Sequence, residues 1–433
     1  MKLPNPLGSR TGRMIAFFLL YMTEGIPYGF TSIVMVYQLR EQGLDNFEIG
    51  NFQWALYFPW QWKWLAGPFV DLISFGRHGH RRVWILICQF LMVAALLTAM
   101  PVDFGQQLKL LIGIVLIHNV FAATQDVAID ALACRVLEED ERGLASGLMF
   151  SGTYLGSLVG GSAIIFLLPY IPFELTYLLA GSCVLAVTFF IVIPIREPEN
   201  TADNLKTGAL RANLIEYIVT AFRSMFTYRL AFFGLLLALL PMGPHALTMK
   251  TQVFASDFGM TTNQIGSLQS FSIICSAAGC VIGGVASDKL GRRRMLALFI
   301  VTGCVPTMFF AQTLASYGWH SPPETFSLDR QPLDDEFFKW FWICTLSFSL
   351  THGMMYGTRA ALFLDISNPV VAGIQFTAYM SVLNLVLGYT TWWQGFVSLL
   401  HGYPMMLRID SALGLLGLLL LPFVCERKTP LDV

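Results

Sequence analysis

Twelve apolar stretches organise this chain. They lie near 14–37, 50–72, 83–101, 109–134, 144–168 and 173–195, then near 229–255, 264–287, 295–316, 339–365, 371–400 and 408–425. About 17–25 apolar residues suffice for a helix to cross a bilayer. Lipid offers no partner for backbone N–H and C=O groups, so each stretch is predicted to be a helix that satisfies its own backbone. Only 13% of the residues are charged and 55% are hydrophobic, far from the balance of a soluble domain. The predicted fold is all-α and integral to a membrane, with twelve transmembrane helices. The opening "MKLPNPLGSRTGRMIAFFLLYM" reads as an uncleaved first helix, because no small-residue cleavage site follows it.

Charge sets the orientation. With the N-terminus in the cytosol, inside segments hold 19 Lys and Arg residues and outside loops hold 6, including Lys250, Lys339 and Arg408. The positive-inside rule therefore predicts both termini in the cytosol. A formal net charge of -1 gives no basic face for a nucleic acid. The eight cysteines are scattered through apolar segments and show neither zinc spacing nor a disulfide framework.

The chain also repeats itself. "GLDNFEIGNFQ" (43–53) and "GMTTNQIGSLQ" (259–269) share Gly, Ile, Gly and Gln at a fixed offset. "GPFVDLISFGRHGHRR" (67–82) and "GVASDKLGRRR" (284–294) share their Gly-to-Asp spacing and basic ending. Two six-helix halves in one orientation follow, residues 1–195 and 229–433, joined by a cytosolic linker at 196–228.

The second of these loops resembles the cytoplasmic signature of the major facilitator superfamily, and the first is a degenerate copy. "EGIPYGFTS" (24–32), "WKWLAGPFVD" (62–71) and "ATQDVAIDA" (123–131) are similar to a narrower branch. It holds the AmpG muropeptide permeases, the acetyl-coenzyme A transporters and the RhtX/FptX siderophore permeases. The resemblance implies two pseudo-symmetric halves and a secondary active transporter working by alternating access. It ties the Asp126–Asp130 motif to transport. AmpG proteins of well-studied enterobacteria have two further helices beyond the twelve predicted here.

Charges inside the apolar stretches are the candidate site. Asp126 and Asp130 are four residues apart and share a helical face. They read as a protonatable pair in a translocation path, or as a static ion contact. Glu24, beside "GIPYG", is a second proton-site candidate, or a cap on a helix broken at Pro27. "LLPMGPHAL" (239–247) is predicted to break the seventh span in the matching place. Lys63 calls for an acid, Glu24 or Asp126, or binds an anionic substrate directly. Tyr28, Gln125 and Arg359 complete the expected cavity set. Arg359 is expected to meet Asp126 or Asp130 across the halves, or to pair with Asp365. Asp71, Asp288, Arg292 and Arg293 are expected to hold a cytosolic gate shut.

Gly152, Gly156 and Gly160, with Gly279 and Gly283 at the same spacing, are expected to form a sliding contact between the halves. The aromatic run from Trp54 to Trp64 reads as an interfacial or lipid-facing belt, or as a surface that stacks on a sugar or an aromatic siderophore. His118, His245 and His352 each stand alone, so no metal and no cofactor is expected. No phosphate-binding loop points to ATP, and no nucleophile–base cluster points to an enzyme.

The expected activity is proton-coupled import of a polar organic solute, an anhydromuropeptide or a ferric siderophore. The alternatives are acetyl-coenzyme A transport, or a facilitator or efflux permease without proton coupling. Protons, a small solute and the bilayer are the expected partners. The expected setting is a bacterial inner membrane, with the protein a monomer.

Overall fold

The structure, a computed structural model, describes residues 4–44, 46–73, 75, 80–197, 210–320, 331–367 and 372–424. The middle of the first repeated loop, the linker residues 198–209, most of the loop at 324–336 and the last residues, Cys425 among them, lie outside these. Among the described residues there are helices and no strands.

Among the described residues, seven helices are long and apolar enough to cross a membrane. They include α4 (Arg81–Ala99), α5 (Leu108–Val136), α6 (from Arg142), α7 (from Phe173), α12 (to Leu290) and α13 (Arg292–Ser316). The last apolar run, from Ile374 to Phe423, holds the eleventh and twelfth predicted stretches. Within it α15 (Ala372–Gly414) changes direction at Gly402, whose φ of 75° and ψ of 174° interrupt the helical ladder just before Pro404. A left-handed φ suits glycine, which has no Cβ to clash.

The remaining stretches are helical but interrupted or unusually polar. The first is predicted to break at Pro27, yet α1 (Arg10–Gly29) passes through it unbroken. Proline gives up its hydrogen bond to the Thr23 carbonyl and crowds that carbonyl one turn upstream; just downstream, Phe30–Met35 widens into a π-helix. The Thr31 hydroxyl also donates to the Pro27 carbonyl at 2.8 Å. The second stretch does break, which its spacing does not announce. Helix α2 (Asn46–Gln61) ends, Lys63–Ala66 forms a 3-10 turn, and α3 (Gly67–Leu72) resumes with Pro68 in its first turn. The polar linker carries a helix of its own, α8 (Leu210–Thr227). The seventh stretch breaks as predicted: α9 (Arg229–Leu239) stops, and α10 (Ala246–Met249) and α11 (Thr251–Asp257) follow. The tenth is the 32-residue α14 (Asp335–Ile366).

Two compact units emerge. One comprises 1–141, 148–227 and 367–381; the other comprises 142–147, 228–366 and 382–433. The first has a core of Phe30, Phe52, Leu111, Tyr177 and their neighbours. The second is centred on Phe258, whose ring meets Trp319, Phe337 and Phe341 edge-on at 5.0–5.3 Å.

Candidate functional site

In the first unit a set of acids gathers around one lysine. Asp126 and Asp130 lie one turn apart on α5, and both are buried. The break after Gln61 puts Lys63 in the short 3-10 turn, where its ammonium pairs with Asp126 and lies 3.9 Å from Asp130. The Tyr21 hydroxyl donates to the other oxygen of Asp130. Glu24, one turn along α1, is buried and acts electrostatically on the same group; its Oε1 has no hydrogen-bond partner. Breaking such a pair by removing one member costs about 3–5 kcal/mol, because the other charge is left buried.

A neutral network supports the cluster. The Thr23 hydroxyl donates to the Leu20 carbonyl at 2.6 Å and accepts from Gln89 at 3.1 Å and Gln125 at 3.0 Å. The Thr188 hydroxyl donates to Gln89 at 2.6 Å. Gln125 therefore spends its N–H on Thr23. Tyr28 is partly exposed, with its hydroxyl 3.4 Å from that of Tyr57. Trp54, Tyr57, Phe58 and Trp62 are exposed, whereas Trp60 turns inward and donates to Asn119 at 3.1 Å.

The two repeated loops are braced differently. Asp71 accepts from Arg81 at 2.9 Å. Glu197 caps the next helix, accepting from the backbone N–H of His80 at 3.0 Å and of Arg82 at 2.7 Å. In the second unit Asp288 accepts from the backbone N–H of Gly143 at 2.9 Å and of Leu144 at 2.8 Å. It also takes Arg292 at 3.2 Å. Arg292 reaches on to Asp365, which Arg142 meets at 3.0 Å. Arg293 is half-buried. A Cβ on Gly143 would collide with the Asp288 carboxylate. Asp365 thus takes Arg142 and Arg292, while the Arg359 guanidinium stacks 4.4 Å from the centre of the Tyr356 ring. In the first unit Arg13 holds Glu141 at 2.6 Å and Glu138 at 2.9 Å. "EEDERG" is accordingly an anchored turn: the Glu141 side chain is 1% exposed.

The glycine ladders need correction. Gly152, Gly156 and Gly160, expected to face the other half, press instead on the backbone of α1 in their own unit. Added Cβ atoms there would meet the carbonyls of Phe18, Met22 and Ile26. Gly25 and Gly29 of α1 answer with contacts to Thr153 and Ser157. Gly279 and Gly283 of α12 (Thr262–Leu290) likewise press on Leu350 and Met354 of α14 within the second unit. The spacing announces a close helix contact but carries no information about the partner.

A second correction concerns histidine. His118 stands apart, its Nδ1 3.0 Å from the Met92 carbonyl. His245 and His352 do not: their rings meet edge-on with centroids 6.0 Å apart. Asp410 accepts from the backbone N–H of His245 at 2.7 Å and of Ala246 at 2.8 Å, closing the broken end of α10. Gln394 donates to its other oxygen at 2.9 Å. Asp410 is absent from the residues that the sequence singles out, although an acid inside an apolar stretch is the signal that exposes Asp126. Among the described residues no three His, Cys, Asp or Glu side chains converge as metal ligands.

Known proteins can be set beside this chain. The family model described as Major Facilitator Superfamily matches residues 13–249. The anhydromuropeptide permease of Escherichia coli K12 is 24% identical over 96% of this chain and 80% of its own length. A Rickettsia conorii sequence bearing the name AmpG 4 is 22% identical over 72% of this chain and 75% of its own. Among solved structures, the proton:xylose symporter XylE superposes with a TM-score of 0.71 at 12% identity, covering 96% of this chain and 97% of that one. The E. coli fucose:proton symporter FucP gives 0.67 at 12% identity, covering 96% and 98%.

Proposed function

Because this chain belongs to the major facilitator superfamily, in its AmpG-like branch, we propose that it is a proton-coupled importer of anhydromuropeptides. It is an integral membrane transporter for small solutes rather than an enzyme. Proton coupling and the cargo are our reading. The setting we propose is a bacterial inner membrane, with a monomer whose termini face the cytosol.

One observation carries the coupling. Asp126, Asp130 and Glu24 are buried around a single ammonium, Lys63. Three ionised carboxylates against one cation would leave uncompensated charge in a dry site, at a cost that protonation avoids. The cluster therefore holds exchangeable protons. Lys63 fixes Asp126, and Tyr21 orients Asp130 by donating to it. A proton that comes and goes here changes the charge that the lysine must balance, which gives alternating access an ionic input. The cargo reading is supported by the likeness to the E. coli anhydromuropeptide permease along nearly the whole chain.

The test is cargo-dependent proton entry into proteoliposomes, with an anhydromuropeptide, a ferric siderophore and acetyl-coenzyme A in parallel. Anhydromuropeptide alone should acidify the lumen, and Asp126→Asn should abolish the signal. Acidification with another cargo would replace the substrate. Transport without proton movement would remove the coupling.

A further inference from the structure

The second unit contains a polar group with no part in the proton reading. Helix α14 divides by faces. Gly353 and Gly357 turn toward Ser276 and Cys280 of α12 and are committed to packing. Phe348, His352, Tyr356 and Arg359 recur at three- and four-residue steps and form another stripe. Neighbouring rings along this stripe are in contact: Phe348 with His352 at 5.6 Å and His352 with Tyr356 at 5.8 Å. Opposite them, at the break in the seventh stretch, His245 completes the group.

His245 is 2% exposed and His352 6%, and the Nδ1 of each has no hydrogen-bond partner. Buried ring nitrogens are nearly always satisfied, so two unmet ones side by side call for a ligand. The local helix end is already met, because Asp410 takes the N–H groups of His245 and Ala246. The ligand's charge follows from the neighbours. Arg359 lies close enough to act electrostatically on both imidazoles, which disfavours a metal ion or an amine. No third His, Cys, Asp or Glu joins them as a metal ligand among the described residues. A neutral His352 imidazole can place its single N–H on Nδ1 and offer it to an acceptor, while the His245 ring also has the Gly243 carbonyl beside it.

We propose that His245 and His352 form the subsite that holds a carboxylate of the cargo, with Arg359 supplying the positive field. This rests on the anhydromuropeptide reading, since that solute carries peptide carboxylates. The first unit would then manage protons, and the second would read the anionic end of the solute.

The test is calorimetric titration of the purified full-length protein with an anhydromuramyl tripeptide and with its fully amidated analogue. Wild type should prefer the acid by at least about tenfold, the size expected of hydrogen bonds to a charged group. His352→Phe should weaken the acid by a similar factor and leave the amide unchanged. His352→Asn, whose side-chain N–H can stand near the position of Nδ1, should keep part of the preference. Size-exclusion profiles and melting curves accompany each variant. Where the Phe variant does not fold, the acid-over-amide preference of wild type decides. Equal binding of acid and amide by wild type overturns the subsite and leaves the cargo reading standing. So does a folded His352→Phe protein with undiminished preference. If wild type binds neither compound, the cargo reading fails and this assignment fails with it.

Discussion

Helices α5 and α14 hold the fourth apolar stretch of their respective halves, and they are furnished in opposite ways. The buried middle of α5 carries Asp126 and Asp130, answered by Lys63 from a neighbouring turn. The buried middle of α14 carries His352 and Arg359, joined by His245 from a broken helix. One cluster is rich in carboxyls and the other in nitrogen donors. A duplicated scaffold can thus keep its packing while its two polar centres take different chemistry. The scaffold itself is conventional in both units, with glycines letting backbones touch along α1 and along α14. The specialisation lies in a handful of side chains on these packed helices.

The largest effect should come from unbalancing the acidic cluster. Lys63→Met should cost about 3–5 kcal/mol, because Asp126 and Asp130 lose their cation in a dry site. Adding Asp126→Asn should restore most of the loss. Denaturant titration in detergent reads both. An additive double variant would mean the two residues are not coupled.

The ladders should respond alike in both units. Gly160→Leu and Gly279→Leu each push a side chain into a neighbouring backbone carbonyl, and each should lower stability by about 1–3 kcal/mol. Gly113→Ala on α5 meets nothing within 4 Å and should be neutral or gain about 0.5–1 kcal/mol. Melting temperatures of the three variants make the comparison.

The two repeated loops should differ. Asp288 caps two backbone N–H groups as well as binding Arg292, so Asp288→Ala should cost about 0.5–2 kcal/mol from the cap alone. Asp71 and Arg81 form a nearly buried pair, so Asp71→Ala strands the Arg81 guanidinium and should cost more, about 3–5 kcal/mol, whereas Arg292 keeps Asp365 when Asp288 is lost; chemical unfolding reads both. A smaller loss for Asp71→Ala than for Asp288→Ala would show that the Arg81 charge is not stranded.

The smallest effect lies outside both clusters. The Tyr317 hydroxyl donates to Asp334 at 2.7 Å, which holds that carboxyl below its ordinary 3.8 and pushes the phenol up to about 12. The carboxylate's contribution is present above its ordinary range and fades as pH falls through it. The phenol's is present below 10 and is lost as pH rises toward 12. A shallow plateau in melting temperature between these limits, absent in Tyr317→Phe, is the expected result.

Local spacing reveals part of this in advance. Asp126 and Asp130 declare a shared face because both lie on one helix, and Lys63 declares a need for an acid because no lone cation belongs in lipid. The break at Pro241–Pro244 is visible in its prolines. Pro27 misleads, since α1 continues through it. The partner of a glycine ladder and the meeting of His245 with His352 depend on contacts between distant segments. No local period encodes them. Asp410 is hidden for a simpler reason: it sits beside Arg408 near the start of its stretch, where a charge passes for a loop residue.

On the proposed reading labour is divided: the acids of the first unit couple protons and the histidines of the second bind cargo. Counterflow in proteoliposomes separates these tasks, because exchange of labelled for unlabelled anhydromuropeptide needs binding and conformational change but no proton gradient. Asp126→Asn should keep counterflow while losing accumulation driven by a pH gradient, and His352→Phe should weaken both together at subsaturating cargo. If Asp126→Asn abolishes counterflow, or His352→Phe exchanges cargo like wild type, the division does not hold.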